Sequence, residues 1–201
     1  IRASSIDNRK IDSVVNTLRK GGIIVVPTDT VYSFACDLNN KKALEKLAKL
    51  KGVKLKKANF SLICYDLSTL SDYTKPISRS VYKAMNKALP GAYTFILDAN
   101  NKVPKLFDSN KKEVGIRIPD NDITREIVNS LCNPLAVTSV HDDDEILDYT
   151  CDPFEIFERF DGMVDVVIDG GIGTLEPSTV VSCIGDQIEI VRQGLGDADI
   201  F

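Results

Sequence analysis

Apolar residues recur along this chain in two periods. Across residues 8 to 20, Ile11, Val14, Val15 and Leu18 stand at i, i+3, i+4 and i+7, the spacing of one helix face, and Gly21-Gly22 supplies a stop. The run Ile23-Ile24-Val25-Val26 follows, short, β-branched and ended by Pro27, which predicts a buried strand opening into a loop. Residues 41 to 51 return to helical spacing through Leu44, Leu47, Ala48 and Leu50, with lysines on the solvated side. Further apolar runs at 60–64, 93–97, 115–118, 135–137, 164–168, 179–184 and 188–191 predict strands, and helical patterns fall at 77–88, 121–131 and 153–160. Strands alternate with helices early and pair directly near the end, so the fold class expected is α/β, a mixed sheet with helices packed on it.

Composition narrows the class. A chain of 201 residues, 43% of them hydrophobic, buries one substantial core, and its turns at Pro90-Gly91, Asn100-Asn101 and Gly170-Gly171 are too short to be linkers, so a single domain over residues 1–201 is expected. No apolar run reaches the ~20 residues of a membrane helix, and no basic-then-apolar leader pattern opens the chain, which points to a soluble, cytoplasmic protein that does not enter a membrane. The net charge of −4 argues against an extended phosphate-neutralising surface, although local basic clusters remain compatible with it. Five dispersed cysteines (Cys36, Cys64, Cys132, Cys151, Cys183), without a CxxC pair and with one histidine, fit small buried hydrophobes better than disulfides or a zinc site. The acidic run at 142–145 reads as a solvated loop, with a divalent cation the alternative.

No Walker GxxxxGK[ST] occurs and no GxGxxG follows a strand, so any nucleotide is held by other means; a GxSxG elbow is absent too. What stands out is hydroxyl residues at strand edges: Thr28, Thr30 and Tyr32, then Thr138 and Ser139, then Ser178 and Thr179. Such hydroxyls donate to phosphate or carboxylate oxygens, or serve their own turns. Arg117 and Arg192 each sit beside an apolar run, where a guanidinium wants an anion, supplied either by a ligand or by a structural aspartate.

Pro27-Thr28-Asp29-Thr30-Val31-Tyr32 resembles the opening signature of the YrdC/YciO family of threonylcarbamoyl-AMP synthases. The resemblance continues in order through Pro90-Gly91-Ala92-Tyr93-Thr94-Phe95, Gly115-Ile116-Arg117-Ile118-Pro119, Thr138-Ser139, Pro177-Ser178-Thr179-Val180-Val181 and Arg192 with Gly194. Asn59-Phe60-Ser61-Leu62-Ile63-Cys64 and Gly194-Leu195-Gly196-Asp197 look like the YciO branch. The resemblance implies a twisted sheet with a large, basic-lined concave face. It also implies a reaction that joins L-threonine, bicarbonate and ATP, with Mg²⁺ accompanying the ATP, into threonylcarbamoyl-AMP for tRNA modification. Alternatives on the same fold are another adenylate or carbamoyl substrate, or a tRNA- or double-stranded-RNA-binding module; tRNA-modification proteins are candidate partners.

By the family pattern, Thr28, Thr30, Tyr32 and Ser178 are expected at the threonine, and Lys51, Arg117, Thr138, Ser139, His141 and Arg192 at the ATP, with Lys51, Arg117 and Ser139 closest to the chemistry. Two elements depart from that pattern. The family's Lys-x-Arg reads Lys51-Gly52-Val53, with Lys54, Lys56 and Lys57 as nearby stand-ins, and its Ser-x-Asn reads Ser139-Val140-His141, where His141 is either an adapted ligand or a loop residue. Closure over the cleft is expected from the lysine-rich segment 51–58.

Overall fold

A computed structural model describes residues 7–140 and 150–201. Chain order runs α1 (Asn8–Arg19), β1 (Ile24–Val26), β2 (Ser33–Asp37), α2 (Lys41–Leu50), β3 (Ser61–Ile63), α3 (Arg79–Ala88), β4 (Tyr93–Asp98), α4 (Lys102–Leu106), β5 (Glu113–Arg117), α5 (Asp122–Leu131), β6 (Leu135–Ser139), α6 (Pro153–Phe160), β7 (Val166–Val167), β8 (Thr179–Ser182) and β9 (Glu189–Arg192). The helices begin where side-chain acceptors cap them. Asp7, Asn40, Ser78, Asn121 and Asp152 each accept a backbone N–H of the first turn, satisfying a donor with no partner inside the helix. No helix among the described residues is long and apolar enough to cross a membrane.

The strands form one mixed sheet in the order β7-β1-β2-β6-β3-β5-β4-β8-β9. Parallel pairs occur at β1–β7, β3–β5 and β4–β8; the other neighbours are antiparallel. Side chains alternate between faces, so register decides which residues share one. On one face Val25, Phe34, Leu62, Phe95, Ile116 and Ala136 join the main core with Leu44 and Leu47 of α2 and Val81 and Met85 of α3. On the other, Ile24, Val26, Ala35, Ile63, Leu135 and Val137 pack under Ile11, Val14, Val15 and Leu18 of α1 and Ile127, Val128 and Leu131 of α5.

The sheet contains an element the hydrophobic pattern misses. Ser33–Asp37 is a strand buried at all five positions, and burial on both faces removes the alternation that would have marked it. The expected strand at 164–168 shrinks to Val166–Val167, and that at 179–184 ends at Ser182 because residues 184–186 turn in a tight helical turn. Cys36, Cys64 and Cys183 are buried as expected, Cys151 is intermediate, and Cys132 is exposed at the left-handed C-cap of α5. His141 and the acidic run at 142–145 lie outside the described residues.

Candidate functional site

Helices α1 and α5 cover only part of their face of the sheet. Beyond Val137 no helix among the described residues covers the face across β6, β3, β5, β4, β8 and β9, and the space above it is a cleft of about 400 Å³. Its floor follows from register. Ser33 pairs with Ser139, Ser61 lies between Val137 and Gly115, Ile96 neighbours Gly115, and Val180 lies between Thr94 and Arg192. Small and hydroxyl residues keep this floor low. A Cβ added at Gly115 would stand 2.7 Å from the Ser61 Oγ and 3.4 Å from the Thr94 methyl, so any side chain there would crowd its neighbours and raise the floor into the cleft.

The charges stand around this floor. Arg192 donates from Nη2 to the Ser178 carbonyl at 2.8 Å, which fixes its guanidinium beside the Ser178 hydroxyl; that hydroxyl is itself 2.7 Å from the Thr94 Oγ1. At another margin the Lys111 ammonium donates to the Asn59 Oδ1 at 3.3 Å and lies 5.2 Å over the Phe107 ring. Burial pushes the Lys111 pKa below the ordinary lysine range, as desolvation of an ammonium must. Glu113 is the one acidic side chain among the described residues of the lining, against Lys111 and Arg192, so the cleft favours an anion. The sequence pattern does not mark Lys111, Asn59, Ser33 or Thr94 as site residues.

Arg117 lines the cleft but its charge has a partner within the fold. Nη2 donates to the Asp29 Oδ1 at 3.2 Å and to the Thr30 Oγ1 at 2.9 Å, and the ion pair is nearly fully buried. Asp29 uses its other oxygen to accept the Asp120 N–H at 3.0 Å. Burial raises the Asp29 pKa, and Arg117 draws it back down in part. Of the two anions the sequence allowed for Arg117, the structural aspartate is present; the Nε remains buried without a hydrogen-bond partner among the described residues. Thr28 caps the same loop, accepting the Thr30 N–H at 3.0 Å and donating to the Val31 carbonyl at 2.8 Å. The loop 27–32 is also pinned to α5, where the Thr124 hydroxyl donates to the Pro27 carbonyl at 2.6 Å.

Tyr32 is buried, and its hydroxyl donates to the Gly171 carbonyl at 2.7 Å while accepting the Gly170 N–H at 3.0 Å. Burial pushes this phenol up to about 12, so it works as a neutral donor. Tyr32→Phe is expected to cost about 1–3 kcal/mol by orphaning those backbone groups, and to loosen residues 170–173, read as faster amide exchange there.

The structure thus gathers Arg117, Thr138, Ser139, Ser178 and Arg192 at one cleft, with the Thr138 side chain turned to the opposite face alongside Phe34. Thr28, Thr30 and Tyr32 do not line it; their hydroxyls serve the loop behind Arg117 and the turn at 170–171. Lys51 stands at the C-cap of α2 and is not among the residues that line the cleft.

Comparisons with known proteins agree with this architecture. The YciO protein of Escherichia coli K12 is 34% identical over 203 residues, covering 100% of this chain and 97% of its own, and its crystal structure superposes with a TM-score of 0.89. A protein of Coxiella burnetii named threonylcarbamoyl-AMP synthase is 25% identical over 183 residues, 90% of this chain and 96% of its own. The fold recurs in P. abyssi Sua5 complexed with L-threonine, at a TM-score of 0.85 and 22% identity, covering 96% of this chain and 56% of that one. Because a Sua5/YciO/YrdC domain model, described as telomere recombination, also matches residues 16–194, which carry every strand of the sheet, the chain belongs to the Sua5/YciO/YrdC family.

Proposed function

We propose that the cleft holds ATP and L-threonine and produces threonylcarbamoyl-AMP and pyrophosphate from these and bicarbonate. The observation that carries this reading is the uncovered floor with hydroxyls at Ser33, Ser61, Thr94, Ser139 and Ser178, and with Lys111 and Arg192 at its margins. A triphosphate and an amino acid both need donors and cations at fixed positions, and this face supplies them. The Coxiella relative's name and the threonine bound to P. abyssi Sua5 support the choice of substrates.

In this reaction the threonine amine and bicarbonate give a carbamate and water. A carbamate oxygen then attacks the α-phosphorus of ATP, the bond to the β-phosphate oxygen breaks, and pyrophosphate leaves with the electron pair. No covalent enzyme intermediate is needed; the chain's work is to hold the two reacting groups together and to offset charge on the departing phosphates. Lys111 and Arg192 offset that charge directly, while Arg117 holds the loop 27–32 in place through Asp29. Mg²⁺ belongs with the nucleotide, whose phosphate oxygens, together with water, are its usual ligands. The segment 51–58, with Lys51 at its start and Lys56 and Lys57 beside a trough shared with Lys105, is the element proposed to close over the triphosphate.

The test is to incubate the pure protein with ATP, Mg²⁺, L-threonine and bicarbonate and to follow pyrophosphate and threonylcarbamoyl-AMP by mass spectrometry. Product that disappears in Lys111→Met supports the reading; ATP binding without product with threonine assigns the cleft another acceptor. Val53, where the family carries arginine, is 40% exposed and accommodates a longer side chain. Val53→Arg is expected to raise ATP affinity several-fold, because a guanidinium pairs bidentately with phosphate where a lysine cannot; titration calorimetry with ATP–Mg²⁺ reads the change.

A further inference from the structure

A second cavity, of about 380 Å³, opens at the carboxyl ends of the parallel strands β3 and β5, between α3 and α5. It shares no lining residue with the concave cleft. Crevices outside the carboxyl ends of strands are where open α/β sheets take ligands. Two aromatic rings there are left uncovered, Tyr65 at 40% and Tyr82 at 47% exposure, over an apolar wall that includes Leu89, Pro90 and Ile118.

The two charged groups of this cavity are not paired with each other. The Arg125 guanidinium lies 5.1 Å from the centroid of the Tyr65 ring, and its Nε is buried without a hydrogen-bond partner among the described residues. Asp66 lines the same cavity and feels the Arg125 charge, yet the ion pairs among the described residues do not include these two. The Ser68 hydroxyl and amide both donate to the Asp66 Oδ1, hold the carboxyl below its usual range and leave Oδ2 free of hydrogen bonds from the described residues. The Asn86 side chain also makes no hydrogen bond among the described residues.

We propose that this cavity binds a free α-amino acid with an apolar or aromatic side chain, its carboxylate on Arg125, its ammonium on Asp66 and its side chain against Tyr82, Leu89 and Pro90. Opposite charges lining one small cavity without pairing match a zwitterion. A lone phosphate would meet the Asp66 carboxylate, and a simple amine would meet the Arg125 guanidinium; each is repelled by one of the two. The volume suits a small molecule, and the aromatic walls supply the flat apolar contact that such sites use to select side chains.

Titration calorimetry of the full chain with the twenty amino acids, their methyl esters and their N-acetyl forms tests this without any catalytic assay. The expected result is saturable binding of leucine- or phenylalanine-like amino acids, lost in the esters and N-acetyl forms. Affinity is expected to fall at least tenfold in Arg125→Met and in Tyr82→Ala and to be unchanged in the cleft variant Arg192→Met. Tyr82→Ala removes a ring already half in solvent, so it keeps the test valid even where Arg125→Met fails to fold. Absence of binding by every amino acid overturns the proposal. So does binding that survives Tyr82→Ala but is lost in Arg192→Met, which places the amino acid in the concave cleft, or displacement of the amino acid by nucleosides.

Discussion

Arg117→Met is expected to destabilise the protein by about 3–5 kcal/mol, because it leaves the Asp29 carboxylate buried without its partner. For a domain of this size that corresponds to a fall in melting temperature on the order of 10 °C. The pH dependence identifies the cause. Burial already holds the Asp29 pKa above its unfolded value, and removal of Arg117 takes away the opposing pull, so the folded-state pKa rises further. A carboxyl whose folded pKa is raised binds its proton more tightly in the native state, so its contribution to stability is full below the unfolded pKa and is lost as pH rises through the folded one. The deficit of Arg117→Met should therefore narrow as the pH is lowered from neutral towards the ordinary carboxylate range. Adding Asp29→Asn should recover much of it at neutral pH. Melting curves of the parent, the single variant and the double variant at several pH values decide the matter. A deficit that ignores both pH and the added Asp29→Asn change would mean that lost packing, and not the stranded charge, is responsible.

Lys111→Met carries the opposite signature. Its ammonium is disfavoured by burial, so the native state holds this proton less tightly than the unfolded chain does, and stability rises with pH through the window between the lowered folded pKa and the unfolded value. Methionine removes that penalty, so the variant should melt at the same temperature as the parent or slightly above it. ATP affinity should nevertheless drop by about 10- to 100-fold, the equivalent of a charge-assisted hydrogen bond of roughly 1.5–3 kcal/mol. Calorimetry with ATP–Mg²⁺ beside a thermal melt reads both quantities. Unchanged affinity would remove Lys111 from the phosphate site, and a large loss of stability would make it a structural residue.

Most helices were legible because the periodicity that marks them is the same periodicity that buries them: Ile11, Val14, Val15 and Leu18 point inward from α1 as their spacing requires. β2 was not legible, since a strand buried on both faces that includes Ser33 and Asp37 has neither alternation nor an apolar run. α4 was masked by Pro104, which is tolerated in a first helical turn. At the site, Arg117, Arg192, Ser139 and Ser178 announced themselves as polar groups beside apolar runs. Lys111 did not, because in the string Lys111-Lys112 nothing distinguishes a lysine turned into a cleft from one in water. The bond between Arg117 and Asp29 spans 88 positions, and only the fold brings them together.

The low floor of the cleft has one more consequence. A sheet face left without helices is the kind of surface on which a second copy can stack, and large apolar patches on monomers invite such association. Here the uncovered stretch interrupts Val137, Ile96 and Val180 with Ser33, Ser61, Gly115, Thr94 and Ser139. Water can hydrogen-bond to the part-exposed Ser61 and Ser139 hydroxyls whenever no ligand covers them. The part-exposed hydroxyls of Ser61 and Ser139 thereby oppose the stacking of one copy on another, and replacing both with valine should show first as aggregation in light scattering.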